Sequence, residues 1–470
     1  MNAKYLLAAA TGNYEVDRQR HVKAFKERLA SEVKKVTWPL EKLQDLRDKR
    51  LRHLIKVAKK YSPWHAARLR QIDPETIKGN NLSDIQTMTK TDLMENWDEI
   101  VTDRRLNLDL ANHHIAHISD HGPAYLFDQY HVVTSGGSSG KRGVFVVDFE
   151  GWLCSSLAIS RYGMWIDQNH KWEGAKRHAS IGAGLVTHAS IAAFQTFFGE
   201  QVGNSRSFPI LLPIHEIVDG LNEFQPSHLI AYPSILHRLA LEKKAGRLSI
   251  TPQSMMCVAE PLMPETREVL EDVFGKPPMN MYGSSEGGGI AYSFPGSPGM
   301  YLMEDMNVYE PVDANGRSVP PGVMAAKLLI TNVANQALPL IRYELTDEVL
   351  LLNEPNPNPW TGRRIADIKG RVDDHFLYPG NVDVPPLLFW TVFGKTPEVF
   401  EYQVQQTRRG VKILVRATQP FKSDTIHKEI ANALIHLGLS DPELVITEVD
   451  HIDRHAETGK LRRFIPLTGQ

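Results

Sequence analysis

One device, repeated between residues 228 and 283, constrains this chain more than any bulk property. His228-Leu-Ile-Ala-Tyr232 reads as a short apolar strand that stops at Pro233-Ser234 and hands over to a helix from Ile235 to Lys244. Ser254 to Ala259 is a second such strand. Pro264-Glu-Thr-Arg267 opens the helix behind it, since proline is tolerated in a first helical turn, where its missing N–H is not needed. Pro277 to Gly283 repeats the strand again. Upstream, Trp152 to Tyr162 reads as a helix, and Ala179 to Gly184 and Phe208 to Leu212 as strands. Strands alternating with helices at this spacing predict an α/β sheet with parallel pairs. Ligands of such sheets sit at the carboxyl ends of the strands, where Ala259-Glu260-Pro261 and Tyr282-Gly283-Ser284-Ser285-Glu286 fall.

The flanking regions have different characters. Residues 15 to 60 are helical and strongly charged, with Leu40, Leu43, Leu46, Leu51, Leu54 and Ile55 at three- and four-residue spacing. The break at Ser62-Pro63 follows from the restriction proline places on the residue before it. Thr89-Lys90-Thr91-Asp92-Leu93 reads as a helix start capped by Thr89 or Thr91. The basic residues here are expected to form a solvated helix face. From Tyr301 to Leu352 the chain turns β-rich, with Lys327 to Thr331 and Val349 to Leu352 as strands, and Asn353 to Thr361 is a proline-rich loop. Beyond Gly370-Arg371-Val372-Asp373-Asp374, strands at Val399–Gln405 and Val411–Val415, a helix at Asp424–Leu437 and a strand at Leu444–Val449 give the order β-β-α-β of a small α+β domain. A chain of 470 residues exceeds what one core serves. The expected fold is therefore α/β: a large N-terminal domain of α/β sheets plus a β-rich part over 1–369, and a small α+β C-terminal domain over 370–470.

Bulk numbers narrow the function classes. Lys+Arg 53 against Asp+Glu 55 leaves a net charge of -2, which offers no global attraction to nucleic acid or anionic membrane. Two cysteines, Cys154 and Cys257, exclude a disulfide framework and fit a reducing compartment. The apolar run at Leu6 to Ala10 is too short for a signal segment, and no stretch approaches the ~18 apolar residues of a membrane span. A cytoplasmic protein is expected, and a homodimer is left open. His113, His117 and His121 would share a helix face and could bind metal. Their neighbours instead suit a strand or irregular segment, and no carboxylate or cysteine completes a ligand set.

His131-Val-Val-Thr134 and Val144 to Val147 are β-branched runs bracketing Ser135-Gly136-Gly137-Ser138-Ser139-Gly140-Lys141-Arg142-Gly143. Small side chains let backbone N–H groups and hydroxyls close around anionic oxygens, and Lys141 adds a point charge suited to phosphate. The loop is not a Walker A motif. Ser135 stands where the first glycine is required, Arg142 stands where the magnesium-binding Ser or Thr is required, and a strand rather than a helix follows. From the segment alone, a flexible hairpin turn remains the alternative.

Four further motifs decide between them. Thr134 to Lys141 resembles the phosphate loop of adenylate-forming enzymes, and Tyr282-Gly-Ser-Ser-Glu286 resembles their Tyr-Gly-x-[Ser/Thr]-Glu motif. Arg342-Tyr343 with Thr346-Asp347 resembles their Arg-Tyr-x-[Ser/Thr]-Gly-Asp motif, Gly370 to Asp374 their hinge, and Thr458-Gly459-Lys460 the motif of their C-terminal catalytic lysine. The chain most resembles the phenylacetate–CoA ligase branch, through Ser62-Pro63-Trp64-His65, Thr89 to Leu93, Ala259 to Leu262, Glu304-Asp305 and its reduced length. Three places depart from the pattern. Gly137 replaces a threonine in the loop, Leu345-Thr346-Asp347 replaces Thr-Gly-Asp, and Phe376 to Asn381 follows the usual post-hinge run only loosely.

The resemblance implies an acid–CoA ligase using ATP, Mg2+ and CoA: a small-molecule carboxylic acid becomes an acyl-adenylate and then a thioester. It implies that Thr134, Ser135, Gly136, Ser138, Ser139, Gly140 and Lys141 hold the leaving phosphates. Glu286 would be the magnesium ligand, and Ser285 would donate to the α-phosphate or acyl oxygen. Ala259, Glu260, Pro261 and Tyr282 would flank adenine, Gly283 and Ser284 would belong to the same nucleotide site, and Asp347 and Arg371 would hold the ribose. Lys460 would bridge carboxylate and α-phosphate from a mobile tail pivoting at Asp373 within the hinge 370–374. An aromatic acid is the branch's usual substrate. Tyr282 could equally be a core aromatic, Asp347–Arg371 a structural ion pair, and His188 either a wall of the acyl pocket or a satisfied buried histidine. Transfer to an amine or a carrier-protein thiol, and a non-catalytic nucleotide-binding protein, are the competing readings.

Overall fold

The computed structural model describes residues 13–135, 142–182, 187–198, 204–354, 360–368, 370–396, 398–455 and 458–467. Its amino-terminal helices are α1 (Tyr14–Val33) and α2 (Leu40–Tyr61). Immediately before the Thr89/Asp92 capping box that starts the short helix Lys90–Glu95, a parallel bridge at Met88 ties this region to Tyr343. The histidine-rich stretch is a helix, α3 (Leu108–His121), not a strand. The Asn107 side chain caps Leu110 N at 2.8 Å, and Ala111, His114, Ile115 and Ile118 make one buried stripe. The stripe carries His114 inward, while His117 and His121 stack on each other with ring centroids 4.6 Å apart.

Strands β1 (His131–Thr134) and β2 (Val144–Val147) pair antiparallel in the register Thr134↔Val144, so a strand–loop–strand arrangement holds. Helix α4 (Phe149–Asn169) follows. Next come β3 (His178–Gly182), helix α5 (Ala189–Phe198), β4 (Ser205–Pro209), helix α6 (Ile214–Phe224), β5 (His228–Ala231), helix α7 (Pro233–Lys244), β6 (Ser254–Val258), helix α8 (Pro264–Phe274), β7 (Met279–Ser284), β8 (Gly288–Tyr292) and β9 (Met300–Leu302). The strand expected over 208–212 lies earlier, because Ile210 to Leu212 turn after β4 to enter α6.

With a short strand at Arg364–Ile365, these strands form an eight-stranded sheet in which β4, β3, β5, β6 and β7 run parallel in that spatial order. Helices α6, α7 and α8 cover one face through Ile217, Leu221, Ile235, Leu236, Leu239 and Leu270. Helix α4 covers part of the other through Cys154, Ala158, Tyr162 and Ile166 against Met256, Met279 and Tyr292. The apolar strands read from the sequence are thus strands buried on two faces. A three-stranded antiparallel sheet of Asn307–Val312, Lys327–Asn332 and Tyr343–Leu345 shares a core with the β1–β2 hairpin.

Two basic side chains expected on a solvated face, Lys35 and Arg47, are instead buried in ion pairs, in a network that also holds Arg161 and the half-buried Arg363. Arg161 in α4 is fully buried and binds Asp305 through two bonds of 2.7 and 2.9 Å. Lys35 pairs with Glu32 at 2.6 Å, Arg47 reaches Glu304 at 3.6 Å, and Arg363 binds Glu304 at 2.7 Å. Burying a charge is tolerable only when it is paired and hydrogen-bonded. Glu304-Asp305 is therefore a knot that fixes the segment into Asn307, whose amide donates to Gly287 O at 3.0 Å. That contact supports the turn carrying Ser285 and Glu286.

The tail folds around a separate core. Val399–Gln406 and Gly410–Ala417 pair antiparallel, Glu443–Glu448 and Phe464–Ile465 add parallel strands on either side, and helix Ser423–His436 packs on them. Among the described residues, Met263, immediately before α8, is the one residue of that core drawn from outside residues 376–464.

Candidate active site

The carboxyl ends of β5, β6 and β7 open into a cleft of about 970 Å³. Its walls include Ser135, Tyr282 to Glu286, Thr346, Asp347, Gly370, Arg371, Thr458 and Lys460, so each of the five motifs that resemble adenylate-forming enzymes contributes. The turn after β7 carries Ser285, whose hydroxyl donates to Thr134 O at 3.1 Å, tying this motif to the start of the glycine–serine loop. Across the loop, Ser135 Oγ accepts from Gly143 N at 2.9 Å, and Arg142 donates to Thr134 Oγ1 at 3.2 Å. Gly136, Ser138, Ser139, Gly140 and Lys141, with the departure at Gly137, lie outside the described residues. At Gly288, with φ +65, an added Cβ would overlap Ser155 Oγ, so glycine there lets the strand pass close beneath α4.

Asp347 is the polar centre of the cleft. It is 5% exposed, accepts from Tyr282 Oη at 2.8 Å and pairs with Arg371 Nε at 2.9 Å. Asp347 and Arg371 also form an isolated backbone bridge. The ion-pair reading of these two side chains is therefore realised. It leaves Tyr282 with a ring against the core and a hydroxyl on the carboxylate. Burial pushes the Tyr282 hydroxyl well above its ordinary pKa, so it remains a donor.

Lys460 reaches the same place from the tail. Its charged neighbours include Arg371 on one side and Glu260, Asp347 and Glu286 on the other. Burial, followed by Arg371, lowers its pKa to about 8. Gly459 before it has φ +64, and an added Cβ would run into the Ile210 side chain. His188 opens α5 near Lys460, Arg142 and His455, and burial, followed by the Lys460 and Arg142 charges, lowers its pKa to about 4. It is a neutral imidazole in the cleft wall. Phe194 and Phe198 of α5, with Trp152 and Ile159 of α4, extend this wall into an apolar recess.

Some residues do other work than expected. Arg342 turns away from the cleft: with φ +52 it binds Glu310 at 3.1 Å and carbonyls at Ser83 and Ile85. His65 Nε2 donates to Pro339 O at 2.9 Å and so steadies the strand entry before Arg342. Glu260 receives Ser234 N at 3.2 Å from the start of α7 and Leu461 N at 2.9 Å from the tail. Tyr232 Oη donates to Thr458 O at 3.1 Å, and Arg454 bonds Ser234 Oγ at 3.0 Å and Glu401 at 2.7 Å. None of Tyr232, Ser234, Arg454 or Thr458 carried a sequence signal beyond the lysine motif, because their partners are more than 200 residues distant. Lys90 is also in the cleft wall, although its segment reads from sequence as scaffold.

A family model described as AMP-binding enzyme matches residues 188–330. Phenylacetate–coenzyme A ligase of Pseudomonas putida is 28% identical over 294 residues, covering 59% of this chain and 61% of that enzyme. The namesake enzyme of Thermus thermophilus is 26% identical over 416 residues, 82% of this chain and 84% of the enzyme. The chain is thus similar to AMP-binding enzymes over residues 188–330 and, over longer stretches, to these phenylacetate–coenzyme A ligases. A crystal structure of 2-hydroxyisobutyryl-CoA ligase shares the adenylate-forming fold, with a TM-score of 0.66, 17% identity and coverage of 92% of this chain and 91% of that one. Among the described residues no helix is long and apolar enough to cross a membrane, and no cluster of three or more His, Cys, Asp or Glu side chains could hold a metal ion.

Proposed function

We propose that the protein is an AMP-forming acid–CoA ligase that converts a carboxylic acid and ATP to an acyl-adenylate and then to an acyl-CoA thioester. The observation carrying this reading is the meeting of Lys460 with Asp347, Glu286 and Arg371 at the ends of the parallel strands. Its similarity to AMP-binding enzymes and to phenylacetate–coenzyme A ligases supports the reaction class.

In the first half-reaction a carboxylate oxygen attacks the α-phosphorus, and the bond to pyrophosphate breaks. Both reactants are anions, so cations must offset their repulsion at the point of attack. The Lys460 ammonium does this in our reading, acting where charge moves in the transition state. Asp347 accepts the ribose hydroxyls, its carboxylate held in place by the bonds from Arg371 and Tyr282. Ala259, Glu260, Pro261, Gly283 and Ser284 edge the adenine side. The loop from Thr134 to Lys141 receives the departing pyrophosphate. Glu286 is the residue that would hold a magnesium ion, a single carboxylate being enough for a cation that keeps most of its waters. The ion would supply Lewis-acid neutralisation of the phosphates.

In the second half-reaction the CoA sulfur attacks the acyl carbon and AMP leaves. We assign the 370–470 unit as the moving part and Asp373 as its pivot, a hinge-type rearrangement. The apolar recess of Phe194, Phe198, Trp152 and Ile159 favours an aromatic acid, in keeping with the phenylacetate named for the relatives.

The test is pyrophosphate release across a panel of aromatic and aliphatic carboxylic acids, with and without CoA. Acid-dependent release with CoA consumed to a thioester supports the reading. Acid-dependent release with CoA untouched points to an amine or a carrier-protein thiol as acceptor.

A further inference from the structure

A second lysine belongs to the cleft, and nothing in the five motifs accounts for it. Lys90 is half-buried and follows the Thr89 cap, whose hydroxyl and backbone N–H both bond Asp92. Met88 N donates to Arg342 O at 2.9 Å, and Glu344 N donates to Met88 O at 2.9 Å. Those bonds lay residues 88–90 alongside the strand that runs on to Thr346 and Asp347. The side chain lines the same cleft as Glu286, Asp347 and Lys460. Its charged neighbours are the Glu286 and Asp373 carboxylates and the Arg371 guanidinium. Burial holds its pKa below the ordinary lysine value, which marks an ammonium partly stripped of water.

A half-desolvated ammonium beside the candidate magnesium ligand suits phosphate oxygen, for which lysine is a compact point charge. Its position in the chain separates it from Lys460. Lys460 lies in the tail and would leave with it when the tail rotates, whereas Lys90 is fastened to the strand bearing Asp347. We propose that Lys90 is a second phosphate-binding lysine, which contacts the α-phosphate in both half-reactions and stays beside AMP when Lys460 has withdrawn. No proton transfer is required of it. In the second half-reaction the acyl carbon–oxygen bond breaks, the electron pair goes to the AMP phosphate, and Lys90 neutralises that charge. This inference rests on the ligase reading above.

Three variants test it: Lys90→Ala, Lys90→Arg and Lys460→Ala. Adenylation is followed by pyrophosphate release, and thioester formation by adding CoA to synthetic acyl-adenylate. AMP affinity is measured by calorimetry and folding by thermal melting. Lys90→Ala is expected to slow both half-reactions and weaken AMP binding, each by about ten- to a hundredfold, with partial rescue in Lys90→Arg and an unchanged melting temperature. Lys460→Ala is expected to slow adenylation alone. Wild-type rates in Lys90→Ala would overturn the inference, as would equal losses in Lys90→Ala and Lys90→Arg with a lowered melting temperature. If the wild-type protein released no acid-dependent pyrophosphate, the ligase reading would fail separately, and the AMP titration would still decide whether Lys90 binds phosphate.

Discussion

The hydroxyl of Thr346 donates to Asp373 Oδ2 at 2.8 Å. It joins the residue before Asp347 to the residue assigned as the pivot of the tail. The superfamily motif that this stretch resembles has glycine where Thr346 stands, so the bond exists only because of the departure. A net contribution of about 0.5–1.5 kcal/mol is expected of such a hydrogen bond, enough to bias the tail toward the arrangement described here.

Thr346→Ala is therefore predicted to speed the CoA-dependent step relative to adenylation by roughly two- to tenfold, the range that this energy corresponds to. Single-turnover measurement of each half-reaction checks it. Equal effects on both steps would count against a latch at this position.

The pH dependence follows from Lys460. Its pKa is lowered to about 8, so the ammonium is present below that value and is lost as pH rises through it. Since kcat/KM reports ionisations of the free enzyme, kcat/KM for ATP in the adenylation step should decline above about pH 8. Lys460→Arg, which stays charged, should remove this alkaline limb even where its rate is low. A limb that survives in Lys460→Arg would assign the ionisation to another group.

Glu260 distinguishes two roles. Its carboxylate accepts from Ser234 N and from Leu461 N, bracing the tail against the start of α7. Glu260→Ala would strip both donors of their acceptor, at a cost of about 1–3 kcal/mol for each one left buried. The prediction is slower adenylation with little change in ATP affinity. A large loss of ATP affinity with normal turnover at saturation would show that Glu260 serves adenine binding rather than the tail.

The buried knot offers a stability test. Asp305→Ala would leave the fully buried Arg161 without its two carboxylate bonds, so a loss of about 3–5 kcal/mol is expected in chemical denaturation. Arg47→Ala, whose nearest oxygen on Glu304 is 3.6 Å away, should cost less.

The reach of the sequence divides along physical lines. The parallel strands, the β-β-α-β tail and the polar centre at Tyr282, Asp347 and Arg371 were legible because local patterning and motif spacing encode them. Helix α3 was misread, since His113, His117 and His121 masked a stripe formed by Ala111, His114, Ile115 and Ile118. Arg47 and Lys35 read as surface charges because, beside their local partners Asp48 and Glu32, the buried carboxylates Glu304 and Asp305 that they approach lie more than 250 residues away. Lys90 was placed on a helix start but not in the cleft. The Met88–Tyr343 bridge that brings it there joins segments no local pattern connects.

The most direct measurement is mass spectrometry of the enzyme mixed with ATP, magnesium and an accepted aromatic acid in the absence of CoA. The account predicts one equivalent of bound acyl-adenylate with one of pyrophosphate released, discharged by CoA to acyl-CoA and AMP. ADP and inorganic phosphate as products, or pyrophosphate formed without acid, would contradict it.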